Sequence, residues 1–524
     1  MTKYLISRIL RALFSIIIVV AVIMTMIYSF LDKKQIFAAD PVYTKQKGNA
    51  QKVYQMQQWE QFGYLDYVPY ADFLLDEQKA GNLTAEDYKI AATLGKEASS
   101  DNDTAAEYVK KFTELYKSKG YEVIRLKGDT KGNTKKYKEG GEPRLYAYKD
   151  VPLLTRLGKY FGGLITVDNL HKVKEDVGER KLTFTLFDPV YGGEKFSPAI
   201  MGNGTTYKYL LYCNDKFPFV HQNLVRINLG KSYSINKGID VFNTMTQSQG
   251  ALKFSTITYP SGVTEKTADD LHSVTYAADS QSKGALNQRY FVDDYTSVVT
   301  VKDGMSKMGY SFVIGIIAVI LSYLLAVPLG ILMALRKDKL LDKLGTFYIV
   351  FITAVPSLAY IFMFKALGGM FKLPTTFDMV KPTWTMYVLP IVSLALPSVA
   401  NLMKWLRRYM IDQMNADYVK FARSGGMSEG QIFTKHILKN AIIPIVHGIP
   451  GSVLFSLTGA IITERVYVVP GVGNVLTNAI NAYDNGVIVG VALFYAVLTV
   501  ISVILGDVLM SLMDPRISFT AKER

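Results

Sequence analysis

The sequence predicts an all-α polytopic membrane protein with six transmembrane helices and a large extracellular α+β insert between helices 1 and 2. Three observations lead to this fold class. Six apolar runs contain no charged side chain, a charge-rich stretch of 277 residues separates the first run from the other five, and basic residues gather in alternate connections. The chain therefore divides into residues 1–31, the insert at 32–308 and a membrane core at 309–524.

The first apolar run covers residues 12–31 and follows Lys3, Arg8 and Arg11. Twenty residues of helix, at about 1.5 Å rise each, span a hydrocarbon core of about 30 Å. A cleaved signal peptide is the alternative. The run is longer than a usual signal sequence core, and bulky Phe37 stands where a cleavage site needs a small residue. A retained transmembrane helix is the better interpretation.

Five further charge-free runs follow the insert. They are residues 308–335, 344–364, 385–403, 441–463 and 486–506. An ionised residue at the centre of a span costs about 2.5–3.5 kcal/mol on the insertion scale, so the lack of charge in all of them is informative. Several runs contain proline, which neighbouring helices in a membrane bundle can accommodate.

Basic residues predict the orientation of the chain in the cell membrane. The connection 336–343 carries four Lys/Arg and the connection 404–440 carries seven, whereas 365–384 carries three and 464–485 carries one. Because basic residues mark the cytoplasmic side, both termini are expected in the cytoplasm and residues 32–308 outside the cell.

The insert has the composition of a folded, water-exposed domain. It holds 38 Lys/Arg and 34 Asp/Glu, whereas the rest of the chain holds 21 and 11. Asp103-Thr104 is expected to cap a helix, and residues 181–188 and 207–213 read as strands. The basic excess lies beside the apolar runs, which argues against nucleic-acid binding. With Cys213 as the single cysteine and no paired histidines, no metal or cofactor site is expected.

The connection 415–444, here called the 415–444 loop, carries the functional signal. Residues 416–423 predict a short helix with Tyr418, Phe421 and Ala422 on one face. Gly425-Gly426 ends it, and Ser428 caps a second helix in a capping box with Gln431. A small amphipathic elbow of this kind suits docking in a groove of another protein.

This loop resembles the EAA coupling loop of ABC importer permeases, in the form found in oligopeptide and dipeptide (Opp/Ami-type) importers. Glu464-Arg465-Val466, Pro470-Gly471-x-Gly473 and Asp514-Pro515-Arg516 extend the resemblance. The large insert is similar to that of AmiC-like subunits of Gram-positive peptide importers. Lys420 and Phe421 replace the Glu and first Ala of the generic motif, and Lys439 replaces its final Pro.

The resemblance implies the type I ABC importer fold and a heteromeric assembly. This subunit would work with a second homologous permease, two cytoplasmic ATP-binding subunits and an extracellular peptide-binding lipoprotein. ATP and magnesium would bind the ATPase subunits, and this chain would have no catalytic residue of its own. The residues expected to contact an ATPase are Asp417, Tyr418, Phe421, Ala422, Arg423, Ser424, Gly425, Gly426, Met427 and Ser428.

The remaining signature residues have simpler interpretations. Glu464 and Arg465 form either a gate or a contact with peptide termini, or else an interfacial ion pair reaching water. The ion pair is the expected arrangement. Pro470, Gly471 and Gly473 are expected to shape a tight turn. Asp514, Pro515 and Arg516 are expected to stop the last helix at the lipid headgroups.

Other function classes fit the sequence less well. A membrane sensor with an external ligand domain needs a cytoplasmic output domain, and the inner connections are too short to form one. An ion-coupled transporter usually has charges near the bilayer midplane or broken-helix repeats, and neither is apparent in this sequence. No sequence motif supports an enzyme in the insert. Gly230-Lys231-Ser232 resembles the end of a phosphate loop but lacks the first glycine of that pattern. A permease for another solute delivered by a binding protein is the alternative to peptide import.

Overall fold

The computed structural model describes most of the chain. It covers residues 2–128, 141–167, 181–187, 198–202, 209–213, 220–222, 225–234, 236–246, 255–258, 264–267, 269–276, 296–300, 305–379 and 383–513, with the single residues 179, 196 and 249.

After the long helix α1 (Thr2–Phe30), the insert begins with helices packed on a three-stranded sheet. Its elements are α2 (Pro41–Lys45), α3 (Gly48–Gln61), β1 (Leu65–Pro69), α4 (Tyr70–Lys79), α5 (Ala85–Ala92), α6 (Asp103–Ser118), β2 (Glu122–Leu126) and β3 (Arg144–Asp150). The strands lie in the order β1-β3-β2 with both pairs antiparallel. The predicted helix at 103 is confirmed, but its cap is Asn102, whose Oδ1 accepts a hydrogen bond from Ala105 N at 2.7 Å.

The rest of the insert contains small antiparallel sheets. Its elements are α7 (Leu153–Gly163), β4 (Ile165–Val167), β5 (Leu182–Thr185), β6 (Ala199–Gly202), β7 (Tyr209–Cys213), β8 (Val220–Gln222), β9 (Val225–Ile227), α8 (Val241–Thr246), β10 (Ser255–Thr258), β11 (Thr264–Thr267), β12 (Asp269–Tyr276) and β13 (Thr296–Thr300). β5 to β8 form one four-stranded sheet, while β4 pairs with β9, β10 with β11 and β12 with β13. β5 and β7 lie inside the two predicted strand segments.

The membrane core begins with four helices. They are α9 (Lys307–Leu335), α10 (Leu340–Ala354), α11 (Ser357–Met370) and α12 (Val388–Met414). α9 starts at a regular cap, because the Ser306 hydroxyl accepts a hydrogen bond from Gly309 N at 3.0 Å. α9 and α12 pack along each other and form the centre of the bundle.

One predicted span is broken. The run 344–364 is expected to be a single helix, but α10 and α11 meet at an angle of 110°. Pro356 lies at the break. Proline has no N–H to continue the helical ladder, and it drives the preceding residue into an extended conformation, as seen at Val355 with ψ 129°.

The chain then forms the 415–444 loop and the last helices. These elements are α13 (Asp417–Ser424), α14 (Glu429–Ile432), a π-helical turn (Phe433–Leu438), α15 (Lys439–His447), α16 (Ile449–Tyr467), α17 (Val472–Asn481) and α18 (Asn485–Met513). The predicted run 441–463 is divided between α15 and α16 at Gly448. Asp514, Pro515 and Arg516 lie outside the described residues.

Within the described residues, four helices are long and apolar enough to cross a membrane: α1, α9, α12 and α18. The bent pair α10–α11 brings the number to five if it counts as one span. The chain is therefore a helical membrane protein, and the arrangement of six spans remains a prediction.

The insert packs on the ends of α1 and α18 at a contact called here the insert junction, in which residues 228–234 and 236–246 lie on residues 484–493. Val241 and Met245 of α8 are fully buried in one cluster with residues of α1 and α18. Asp484 is fully buried and accepts hydrogen bonds from Ser232 Oγ at 2.6 Å and Tyr233 N at 2.8 Å. A Cβ atom at Gly486 would lie 1.9 Å from the Lys231 carbonyl oxygen, so only glycine allows this approach.

Candidate functional site

The first helix of the 415–444 loop, α13, is amphipathic with a different inner face from the predicted one. Val419 is buried, and Tyr418 and Ala422 pack beside it in the same cluster. Phe421, expected on that face, is instead 76% exposed. The inward side is therefore set by Val419, and the loop presents an aromatic side chain to its surroundings.

A glycine turn ends α13 as predicted. Gly425 N donates to Phe421 O at 2.9 Å, and Met427 N donates to Ala422 O at 3.2 Å. Gly426 has a φ of +81°, a conformation that L side chains rarely adopt, and a Cβ atom there would meet nothing within 4 Å. The turn needs glycine for its backbone conformation and not for lack of space.

The capping box at the start of α14 is confirmed. Gln431 N donates to Ser428 Oγ at 3.4 Å, and Ser428 N donates to Gln431 Oε1 at 3.3 Å. The two interactions satisfy backbone donors that the first helical turn leaves unpaired. They fix where α14 begins relative to the glycine turn.

Two exposed ion pairs complete the elbow. Asp417 accepts from Lys420 Nζ at 2.8 Å, and Glu429 accepts from Arg423 Nε at 2.6 Å and Nη2 at 3.0 Å. These hydrogen bonds lower the pKa of Asp417 and of Glu429 and raise the pKa of Arg423. Exposed pairs contribute little stability. The bidentate Arg423–Glu429 pair nevertheless links α13 to α14 across the turn and orients them.

The buried side of the loop belongs to the core of the bundle. One hydrophobic cluster joins the loop to α9, α12 and α15; its buried members are Ala334, Leu406, Met410, Val419, Ile432, Ile437, Ala441 and Ile445. The loop and these helices therefore share one close-packed interior, which resists compression. The exposed side consists mainly of Phe421, Arg423, Ser424, Gly425, Gly426 and Ser428, with Met427 half-buried.

A cavity of about 610 Å³ lies among α9, α11, α12 and α16. Its polar lining is formed by hydroxyl groups and one amide, from Ser322, Tyr323, Ser357, Tyr360, Ser393, Ser398, Asn401, Ser452, Ser456 and Thr463. Among the described residues none that lines it is charged. Sequence reasoning missed this cavity, although the serines inside otherwise apolar runs were a signal for it.

Glu464 does not form the expected interfacial ion pair. Its side chain is 0% exposed, and its carboxyl group accepts from Ser311 Oγ at 2.5 Å and from Asn474 N at 3.1 Å. Arg465 is exposed and donates instead to Asn478 Oδ1 at 3.0 Å. The ion-pair prediction is wrong because Ser311, which is distant in sequence, and the backbone of Asn474 satisfy the carboxyl group inside the protein.

The glycines of the turn before α17 make room for that carboxyl group. A Cβ atom at Gly471 would lie 2.3 Å from the carboxyl atoms of Glu464. One at Gly473 would lie 2.6 Å from Ile461 Cα. Together with Pro470 these glycines form the close turn that the sequence predicts, and the turn is folded around the Glu464 side chain.

In the described part of the chain no group of three or more His, Cys, Asp or Glu side chains could hold a metal ion. The geometry provides a cavity among the helices and a preformed elbow that shares a hydrophobic core with two of the cavity-lining helices, α9 and α12.

Comparisons with known proteins agree on one class. Residues 326–519 match the family of binding-protein-dependent transport system inner membrane components. The oligopeptide transport system permease protein AmiC of Streptococcus pneumoniae is 34% identical over 100% of this chain and 99% of its own length. The dipeptide transport system permease protein DppB of Bacillus subtilis is 30% identical over 40% of this chain and 68% of its own. The metal-staphylopine import system permease protein CntB of Staphylococcus aureus is 28% identical over 42% and 72%.

Proposed function

This chain belongs to the oligopeptide transport permease family, the membrane components of binding-protein-dependent ABC importers, and on that premise we propose how it serves import. It forms half of a translocation path for oligopeptides, and the 415–444 loop couples that path to an ATPase subunit. The observation that carries the proposal is the elbow itself, because its outer face is exposed and its inner face shares a core with the cavity-lining helices α9 and α12.

The mechanism follows from this attachment. The exposed side of the loop, with Phe421 at its centre, docks in a cleft of an ATP-binding subunit. ATP-driven closure of the ATPase pair moves the loop, and the shared core passes the motion to α9 and α12. The cavity then opens alternately to the two sides by rigid-body rocking of the helices.

The neutral lining of the cavity suits a peptide substrate. Hydroxyl and amide groups can hydrogen-bond a peptide backbone, whose donors and acceptors are the same in every sequence. A charged wall would favour peptides of opposite charge. The cavity therefore supports import of peptides with varied side chains.

The assembly contains further chains. A second homologous permease completes the path, two cytoplasmic ATP-binding subunits supply hydrolysis with their own ATP and magnesium, and an extracellular lipoprotein delivers the peptide. Residues 32–308 receive or orient that lipoprotein. Deletion of the insert is expected to weaken binding of the lipoprotein, and unchanged affinity would contradict this role.

A second candidate is import of another solute. CntB is named as a permease for metal-staphylopine, so similar cores serve different cargoes. The match to AmiC runs through the whole chain, insert included, and it favours oligopeptides. Competition between labelled peptides and metal–chelator complexes for uptake distinguishes the two candidates.

The docking proposal is tested by Gly426→Leu. We expect loss of peptide uptake and of ATPase co-purification, with normal membrane insertion, because the bulky side chain blocks docking and the strained turn shifts. Gly81→Leu in the insert is the matched control, since Gly81 has a φ of +79° and equally open space. Both changes carry a similar backbone strain of about 1–2 kcal/mol. Normal uptake by the Gly426→Leu protein would contradict docking.

The proposed topology places the loop in the cytoplasm with both termini. Replacement of Cys213 by serine gives a cysteine-free chain. Lys435→Cys lies at an exposed position of the loop outside the residues proposed to contact the ATPase, and in that background it is expected to react with a membrane-impermeant maleimide only after the cells are permeabilised. Labelling in intact cells would place the loop outside the cell and would contradict the proposed coupling to a cytoplasmic ATPase.

A further inference from the structure

A second cavity, of about 260 Å³, lies at the rim of the insert junction. It is bounded by the end of α1, the start of α18, α7 and the segment 230–233. Its lining combines cations with aromatic rings: Arg156, Lys159 and Lys231 with Tyr28, Phe62 and Tyr233. Among the described residues that line it there is no Asp or Glu.

Arg156 is held in place without its full set of hydrogen bonds. Its guanidinium group lies 3.7 Å from the ring centre of Tyr28 and 4.1 Å from that of Tyr64. These cation–π contacts fix the plane of the group. Its Nη2 atom is buried and has no hydrogen-bond partner among the described residues. Because three cations and no acidic side chain line the cavity among the described residues, its chemistry favours an anionic ligand.

The position of the cavity selects the kind of anion. α1 ends and α18 begins here, and both helices are apolar enough to span a membrane. Met26 and Phe30, in the last turns of α1, are 57% and 81% exposed, as expected for side chains covered by lipid. Tyrosine and basic side chains at the end of a span lie at headgroup level.

We propose that this cavity binds the phosphate of an anionic phospholipid from the leaflet next to the insert. Arg156, Lys159 and Lys231 line the cavity and together offset the negative charge of the phosphate, and the apolar surface of α1 lies beside the acyl chains. The lipid fills the gap between the insert and the helices α1 and α18, on which the insert rests. The site is independent of peptide transport and of the ATPase subunits.

The test uses the full chain in its assembly, reconstituted in phosphatidylcholine nanodiscs with and without phosphatidylglycerol. Native mass spectrometry reports how much phosphatidylglycerol is retained. Lys159 and Lys231 are exposed and are the informative positions, because Arg156 also packs between two rings. A lysine near an anionic headgroup contributes about a five-fold gain in affinity, so Lys159→Gln and Lys231→Gln are each expected to lower retention about five-fold. Lys110→Gln, on an exposed part of α6, is the matched control and should change nothing.

Three results would overturn the proposal. Unchanged retention when Lys159→Gln and Lys231→Gln are combined in one chain would show that the lipid binds elsewhere. Displacement of phosphatidylglycerol by inorganic phosphate would assign the site to free phosphate. Displacement of phosphatidylglycerol by a short peptide, but not by its amidated form, would assign the cavity to a peptide carboxylate.

Discussion

The insert junction and the 415–444 loop use glycine for opposite reasons. At the junction, Gly486 is required because the chain crosses so closely that a Cβ atom would collide with a carbonyl oxygen. In the loop, Gly426 is required because its φ is positive, although the space around it is open. The two glycines look alike in the sequence. One marks a close contact between two parts of the chain, and the other marks an exposed turn.

The charged groups of the two regions also differ, both in burial and in how far away in sequence their partners lie. Asp484 at the junction is buried, and its donors come from a segment about 250 residues earlier in the chain. The pairs Asp417–Lys420 and Arg423–Glu429 of the loop are exposed and local. The junction is therefore stabilised by contacts between distant parts of the chain, whereas the outer face of the loop is exposed and held by local pairs.

The comparison predicts the largest effect on stability for Gly486→Ala. The new methyl group would lie 1.9 Å from the Lys231 carbonyl oxygen and 3.0 Å from the carbonyl carbon, and backbone cannot move as cheaply as a side chain. We expect a loss of about 3 kcal/mol or more, the upper end for overpacking. Thermal unfolding in detergent measures it, with Gly430→Ala as the control because Gly430 is helical and open. An unchanged melting temperature would mean that the insert does not pack on α18 this closely.

A smaller effect is expected for Asp484→Asn. The amide keeps the size of the side chain but loses the charge and one acceptor, and its NH2 group faces donors from the 232–234 segment. Hydrogen bonds to charged groups contribute about 1.5–3 kcal/mol, so a loss of about 2 kcal/mol is expected. Limited proteolysis should cut the insert faster, while Asp66→Asn, at an exposed position of β1, should leave the rate unchanged. Equal rates for both proteins would argue against the junction.

The smallest effect on stability is expected for Phe421→Ala. Its side chain is mostly exposed, so the free energy of unfolding should change by less than about 0.5 kcal/mol. Peptide uptake should nevertheless fall strongly, because the aromatic ring is proposed to dock in the ATPase. Phe371→Ala removes a phenyl group that is 78% exposed, and it should affect neither property. Full uptake by the Phe421→Ala protein would place docking elsewhere on the loop.

Local signals in the sequence predicted the elbow well. The Gly425-Gly426 turn and the Ser428–Gln431 capping box depend on residues within a few positions of each other, and the structure has both. Which face of α13 is buried was less predictable from the sequence. Val419 and Phe421 are both apolar, and only the position of the neighbouring helices decides which one is buried.

Features that depend on distant residues were not predictable. Prolines 328 and 397 lie inside continuous helices, whereas Pro356 stands at a 110° bend, so proline alone does not identify a break. Glu464 stands at the end of an apolar run, where water is the expected partner. Its actual partner, Ser311, lies more than 150 residues away in sequence and is brought close by the packing of α9 against α16.

The contact of the insert with both α1 and α18 has a mechanical consequence. These two helices also pack on each other, so the insert rests on the first and last helices of the chain as a single base. The β1–β3 sheet is joined to the same base, because Asn485 Nδ2 donates to the Tyr64 hydroxyl at 2.9 Å and Tyr233 packs in one cluster with Leu65 and Tyr146. A change in the tilt of α1 and α18 would therefore move this sheet with them, and a fluorescent label on the sheet would detect the movement.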